Sequence, residues 1–486
     1  MATGTSINPG SEKKLAFRTK KYYLCRMFSD KDIQKGLRIA VWEGIFATVH
    51  ITLTTGAFLT GFALLLGAND FEIALLTAIP LLTQILQVVA VHAVEYAGRR
   101  KWITGICSLA GRALWVFLVL IPLIKPLREQ AIHVFLWTFL WISILLSFSG
   151  APWLSWMADL VPAKIRGRYF GRRNMILGIV TMATSILAGR ILDHFKGQQR
   201  LEIGFVIVEM FAVICAGIAF LFLTQQPEPP YRRMPGYNFW HYIQQPFQSS
   251  RFKTLLIFYL FFTFAIGIAS SYFPVYLLKT LGWSFSNLAL LAIGTAIMTL
   301  LTQPLWGRII DRVGHKPVIK TAVIGVLPIP VLYFLATPNH SWPIWFDMVF
   351  TGIFWSAFNL AMFNMVFYSL PDKGQSMFLA VHSALTGVTN FAAMIIGGWI
   401  AQSLSSIRFV FLGKEIINYH ILFGLTLVLR LAAIPLLKKM QEPEAKSMGV
   451  MIRQIMLTLH RYVALGQAIF FLGSNSKPRR RSHAKI

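Results

Sequence analysis

The chain is short of acid and of cysteine. Asp and Glu number 19 against 46 Lys and Arg, and charged residues make up 13% of the 486 positions, about half the ~25% of an ordinary soluble domain. Its three cysteines, Cys25, Cys107 and Cys215, are an odd, scattered set and frame no disulfide-stapled fold. Also missing are a Gly-X4-Gly-Lys-Ser/Thr phosphate loop, a cluster with metal-ligand spacing and a nucleophile elbow. Direct ATP drive is therefore not expected, and the sequence points to no enzyme, no cofactor and no metal. Residues 1–37 are basic and polar, without the apolar core of a secretory signal.

What is there in abundance is hydrocarbon. Apolar residues make up 56% of the chain, and the mean hydropathy is +0.59. Crossing a ~30 Å hydrocarbon core takes ~20 mostly apolar residues, and lipid obliges the backbone of each crossing to bond to itself as a helix. Twelve such runs are legible, at about 38–65, 70–95, 102–124, 130–153, 170–194, 201–224, 254–279, 285–309, 317–336, 343–369, 375–403 and 417–437. The predicted fold is an all-α polytopic membrane protein. It divides into a basic tail (1–37), a six-helix half (38–224), a Pro- and Arg-bearing linker (225–252), a second six-helix half (253–438) and a tail (439–486).

The surplus of cations follows the membrane rather than a nucleic acid. With both termini placed inside, 36 of the 46 Lys and Arg fall in the tails and in the loops after spans 2, 4, 6, 8 and 10. The positive-inside rule then sets the orientation, cytoplasmic at both termini, and a multi-pass place in the plasma (inner) membrane. The basic tails suit anionic lipid headgroups, at ~1 kcal/mol per residue near the surface. No folded basic domain outside the spans offers a nucleic-acid site.

One short charged loop occurs twice. Gly307-Arg308-Ile309-Ile310-Asp311-Arg312-Val313-Gly314-His315-Lys316 separates spans 8 and 9, and Glu95-Tyr96-Ala97-Gly98-Arg99-Arg100-Lys101 separates spans 2 and 3. Glu95 and Asp311 are 216 residues apart. Ala188-Gly189 in span 5 and Gly397-Gly398 in span 11 echo each other as well. Duplicated halves are the usual plan of secondary transporters, in which one half rocks against the other around a midplane site.

On these residues the chain resembles the major facilitator superfamily. Gly307-X-X-X-Asp311-Arg312-X-Gly314-His315-Lys316 is similar to that family's cytoplasmic loop signature, with His where Arg is common. Asp159-Leu160-Val161-Pro162, followed by Arg166-Gly167-Arg168-Tyr169-Phe170-Gly171-Arg172-Arg173-Asn174, resembles the turn into span 5 of prokaryotic members. The resemblance covers about Arg38 to Met440. It implies two six-helix halves related by a pseudo-twofold axis and alternating access. The first-half loop departs from the signature at Val91, Glu95 and Tyr96. Span 4 lacks the Arg typical of drug–proton antiporters, and span 5 lacks their Gly-Pro pair.

The resemblance also assigns a cytoplasmic gate: Glu95, Gly98, Arg99, Arg100, Asp159, Arg166, Arg168, Arg172, Arg173, Gly307, Asp311, Arg312, Gly314 and Lys316. Gly307 and Gly314 are expected to allow close approach and a tight turn. By the pseudo-twofold, Asp311 should face the cation-rich start of span 5, and Glu95 the start of span 11, where Lys373 is available. This uneven latch would close the cytoplasmic side; the competing view is that the charges only set topology.

Within the spans, Glu43 and His50 lie two turns apart on one face of span 1. Glu43 is either a substrate or proton group or a gate; His50 is either titratable or a hydrogen-bonded structural residue. Arg112 reads as structural and in need of a partner, and Glu209 is similar. Arg430 reads as reaching for the cytoplasmic face, and Asp347 as an outer gate or interfacial residue. Gln84, Gln87, Gln303, Asn359, Asn364 and Asn390, with Trp137, Trp141 and Trp355, sketch a site for a neutral or weakly polar solute, though buried amides also serve as helix–helix glue. Residues 447–472 read as an interfacial helix with a polar stripe of Gln454, Thr458 and Arg461. The expected function is secondary transport of a small organic solute, with a proton as the coupling ion the sequence leaves open. The rival is a non-transporting member of the same fold, an assembly factor or sensor.

Overall fold

The computed structural model describes residues 30–456 except 125–128, 163–164, 230–243, 245, 371–374, 412–413, 441, 448 and 455. Eleven of its helices are long and apolar enough to cross a membrane. Span 2 completes the twelve: it is interrupted, running as Asp70–Thr83, a 3-10 turn Gln84–Leu86 and Gln87–Ala97. Pro80 inside the first piece withholds a backbone donor, which loosens the helix there.

Span 1 begins earlier than its hydropathy implies, at Asp30. The polar first turns are held by packing: Ile33 and Leu37 bury against Trp156, Met157 and Leu160 of span 4. The span then breaks. Asp30–Leu53 stops, and Gly56–Leu65 resumes after Gly56 takes φ +59°, a conformation that suits glycine. Thr54 and Thr55 bond back to the carbonyls of His50 and Ile51, offering the backbone an alternative to the helix. Span 7 is interrupted at the matching place, Ser270–Ser271, and Thr55 and Ser271 share the 216-residue separation of Glu95 and Asp311.

The remaining spans are Arg100–Leu120, Ala131–Leu160, Arg166–Gly197 and Leu201–Gln225 in the first half. In the second half span 7, Ser250–Ser270, resumes at Tyr272 and ends in a π-helical turn Tyr276–Thr280. Then come Phe285–Val313, His315–Gly325 with Pro328–Leu335, Ile344–Tyr368 through a second π-helical turn, Gln375–Ser403 and Asn418–Lys439. A small antiparallel hairpin, β1 (Arg408–Phe411) on β2 (Lys414–Ile417), joins spans 11 and 12. The all-α expectation did not include it. Lys414 anchors the hairpin by donating to the carbonyls of Phe334 and Ala336 at the end of span 9.

The glycine echo between the halves marks matching crossings. A Cβ at Gly189 would lie 3.0 Å from the backbone of Phe285 and Ser286, at the start of span 8. At Gly398 it would lie 2.5 Å from Ala74 on span 2. Each half's fifth helix thus crosses into the other half on a residue without a side chain. Gly98 and Gly314 also correspond, both with positive φ (65° and 90°) at the charged turns. Gly307 differs from expectation: it lies inside the span 8 helix, where an added Cβ would approach nothing nearer than Leu360 at 3.9 Å.

Candidate functional site

The two ends of the bundle are built differently. At the far end, opposite the charged loops, the halves are joined. Asp70 opens span 2 and is buried. Its Oδ2 accepts from Asn418 Nδ2 at 2.7 Å, its Oδ1 from the Tyr419 hydroxyl at 2.6 Å, and its carbonyl from the Tyr272 hydroxyl at 2.9 Å. Thr77 and Ser271 share a hydrogen bond of 2.6 Å between the interrupted spans. Asp193, near the end of span 5, accepts from the backbone N–H groups of Phe285 (2.8 Å) and Ser286 (2.9 Å). A carboxylate on a helix N-terminus satisfies orphan donors and complements the helix dipole. Phe285 itself lies between Phe58 and Phe205 of the first half, at ring separations of 6.3 and 5.6 Å.

At the basic end the polar contacts seen for the described residues lie inside each half. Arg100 Nη1 meets Asp159 at 2.7 Å and its Nη2 donates to the Pro229 carbonyl. Glu228, just past span 6, accepts from the backbone N–H of Arg100 at 2.6 Å and of Lys101 at 3.2 Å. In the second half, Glu442, just past span 12, accepts from the N–H of His315 (2.9 Å) and Lys316 (2.6 Å) and from His315 Nδ1 (2.6 Å). The two halves therefore cap their third helices alike, each with a glutamate that follows its sixth helix. Burial pushes the Glu442 carboxyl up, but the hydrogen bonds from His315 and Lys316 outweigh it and hold the pKa below its usual value.

Several expected gate residues are not brought together. Asp311 is exposed, as are Arg312, Arg168 and Arg172; spans 5 and 8 instead meet at their far ends through Gly189 and Asp193. The opposite turn of the gate, with Lys373, and the side chain of Glu95 lie outside the described residues. Arg99 is exposed, while Arg166 reaches the Val161 carbonyl at 3.4 Å. Lys316 holds the carbonyls of Lys438 and Met440, and Arg312 reaches Gln454. Thr458 and Arg461 lie outside the described residues.

Between the ends, inside the first half, lies a cavity of about 520 Å³ lined by Glu43, His50, Gln87, Ser108, Arg112 and Arg173 among others. Glu43 is buried on span 1 and pairs with Arg173 of span 5 at 3.8 Å. Arg173 also donates to the Ala40 carbonyl at 3.4 Å and lies over the Trp153 ring at 5.0 Å. His50 is held by the Ala212 carbonyl at 3.2 Å and by an edge contact with Trp115. Arg112 lacks, among the described residues, the direct carboxylate or carbonyl partner that its structural reading calls for. Its charge acts on Glu43, yet its buried Nε has no hydrogen-bond partner, and it makes no hydrogen bond or ion pair within the described residues. Glu43 is thus the one carboxylate shared by two guanidiniums in the cavity wall, and a cation short of partners at a helix centre costs ~2.5–3.5 kcal/mol or more. The signal was present in the sequence: Thr104, Ser108, Arg112 and Trp115 form one stripe at helical spacing in an otherwise apolar span, and all four line the cavity.

The amides and tryptophans of the expected site are not gathered in this one cavity. Gln87 lines this cavity, but Gln84, Gln303 and Asn359 are exposed, and Trp137 and Trp141 are 67% and 58% exposed, outside its lining. Asn364 and Asn390 are half-buried. Trp355 packs on Phe262 and Phe358. Glu209 is buried with both carboxyl oxygens unpartnered. Arg430 does not reach the cytoplasmic face: it is buried and donates to the Val326 carbonyl at 2.9 Å. Asp347 is buried rather than interfacial, accepting from Tyr333 at 3.0 Å and Thr351 at 2.5 Å. Internal partners explain both corrections: they offset the desolvation that burial costs a cation or a carboxylate.

Known proteins share this architecture. A point mutant of the nucleoside transporter NupG aligns with a TM-score of 0.64 at 13% identity, covering 83% of this chain and 100% of that one. A bacterial homologue of the human lysosomal transporter Spinster, inward-facing and unoccupied, gives 0.54 at 15%, covering 85% and 95%. A bacterial homologue of the iron transporter ferroportin, in its inward-facing state, gives 0.57 at 13%, covering 85% and 100%. No curated protein sequence matches the chain. The sequence profile described as Major Facilitator Superfamily matches residues 44–344 and 255–449, together most of the chain. The chain belongs to the Major Facilitator Superfamily of membrane transporters.

Proposed function

We propose that the protein is a secondary transporter that moves a small organic solute by alternating access, with the basic end cytoplasmic and the present state inward-facing. The observation that carries this reading is the contrast of the two ends: among the described residues, inter-half polar bonds gather at the far end rather than at the basic end. A cavity with Glu43, Arg112 and Arg173 in a largely apolar wall lies between them. In the opposite state, Asp311 would leave water for the N-terminus of span 5 and latch the cytoplasmic side. Glu43 is the carboxyl we assign to proton coupling, since it is buried in the cavity wall and ion-paired with Arg173.

Flux of candidate solutes into proteoliposomes tests the transport reading. Uptake above protein-free vesicles, abolished when the far end is cross-linked shut, is expected; vesicles that never exceed the control contradict it. An imposed pH gradient in the same assay tests coupling. Glu43→Gln should remove the response to the gradient while leaving exchange of solute.

A further inference from the structure

The first-half cavity carries one more cation than its carboxylate answers. Glu43 and Arg173 form a pair, and Arg173 is further held by Ala40 and Trp153. Arg112 is left over: a guanidinium on the cavity wall, about twelve residues into a 21-residue span, and so ~18 Å along the helix from its basic end. Its Nε is buried and bonded to nothing. Membrane spans place such a charge facing a pathway or a partner; here the pathway is present and a direct partner is missing, since Glu43 acts on Arg112 only through its charge while paired with Arg173.

We infer that the missing partner is the substrate, and that the cavity takes a small organic monoanion whose carboxylate or equivalent head docks on Arg112. This deepens the transport proposal above and rests on it. A planar fork of N–H donors fits a carboxylate in two-point fashion. Ser108 stands one turn below Arg112 on the same helix face to donate to the same head, and Gln87 can donate from span 2. Trp115, Phe139, Ile142 and Leu146 form the apolar part of the wall, which suits a ring or short hydrocarbon body behind the head. About 520 Å³ is the scale of a pocket for a metabolite-sized solute. A neutral solute would leave the Arg112 charge unanswered, and a cationic one would add to it.

Two readouts test the assignment on purified, detergent-solubilised protein. In the first, thermal stability is followed with acetate, benzoate and 1-naphthoate, each beside its amide and its amine. Carboxylates should stabilise the wild type, and amides and amines should not. Arg112→Gln should weaken the best carboxylate about 30-fold or more, and Arg112→Lys should retain part of its binding. In the second, the ligand-free melting temperature of Arg112→Gln should stay close to that of the wild type, because the guanidinium removed has no direct hydrogen bond and Glu43 keeps Arg173. Stabilisation by amides or amines in preference to carboxylates overturns the inference. So does the absence of any carboxylate effect on the wild type, or a carboxylate effect undiminished in Arg112→Gln. A ligand-free variant much less stable than the wild type, with Arg112→Lys equally unstable, assigns Arg112 to structure and overturns it too. Carboxylates that bind but are never carried into vesicles would leave the anion site standing and remove the transport reading instead.

Discussion

The far end and the basic end of this molecule use the same chemistry to opposite effect. Each places carboxylates on helix N-termini. At the far end Asp193 of one half caps span 8 of the other, so the bond holds the halves together. At the basic end Glu228 and Glu442 cap helices of their own halves, so the bonds stiffen each half and leave them free to part. The difference lies in which side of the interface the acid comes from. A gate is a cap donated across the interface; a brace is a cap donated within a half.

The largest expected disturbance of this contrast comes from bulk at the crossings. Gly398→Leu puts a side chain where even a Cβ would meet Ala74 at 2.5 Å. Overpacking of this kind costs ~1–3 kcal/mol or more, so the far end should no longer close. A cysteine placed at buried Ser271 should then become reactive to an impermeant thiol reagent added from the far side. Unaltered protection would mean the crossing is not part of the seal.

Next comes Asp70→Ala, which strands the Tyr419 hydroxyl and one N–H of the Asn418 amide, whose other N–H keeps the Ala401 carbonyl. Each buried donor left unmet costs ~1–3 kcal/mol, and the same thiol should open, though less completely than with Gly398→Leu. Asp193→Asn keeps one acceptor but loses the charge beside the span 8 terminus, worth ~0.3–1 kcal/mol. Its effect should be smaller still, and a response equal to that of Asp70→Ala would show that the two seals are not ranked as described. Asp311→Asn removes only the charge of an exposed side chain in this state, so stability should change by less than ~0.5 kcal/mol. If Asp311 latches the other state, the variant should nevertheless raise accessibility from the cytoplasmic side.

The smallest effect concerns the brace. The pKa of Glu442 is depressed in the fold, so its contribution is fully present above the ordinary carboxylate value of ~4.3 and is lost as pH falls through the lower folded value. Glu442→Gln should remove that part of the acid sensitivity and lower the melting temperature slightly without altering which end is open.

The span pattern, the duplication and the charged turns were legible because each leaves a local mark: a hydrophobic run, a repeated loop, a glycine at positive φ. What the sequence concealed was partnership. Asp70 and Asp193 sit at span ends, where an acid looks interfacial until the other half is seen to arrive. Arg112 looked structural because its depth in span 3 was visible and the cavity that it lines was not. Trp137 and Trp141 are one turn apart, which shows that they share a face but not which face. Arg430 and Asp347 looked like surface groups because length and depth were visible and their internal partners were not.

The central claim is that acids donated across the far end hold the present state. Its most direct test is a pair of distance measurements by electron–electron resonance in lipid, with spin labels at Gln198 and His340 on the far end and at Gly167 and Lys439 on the basic end. In Asp70→Ala/Asp193→Ala, the far-end distance should lengthen and the basic-end distance shorten relative to the wild type. Distributions unchanged at both ends would contradict the account.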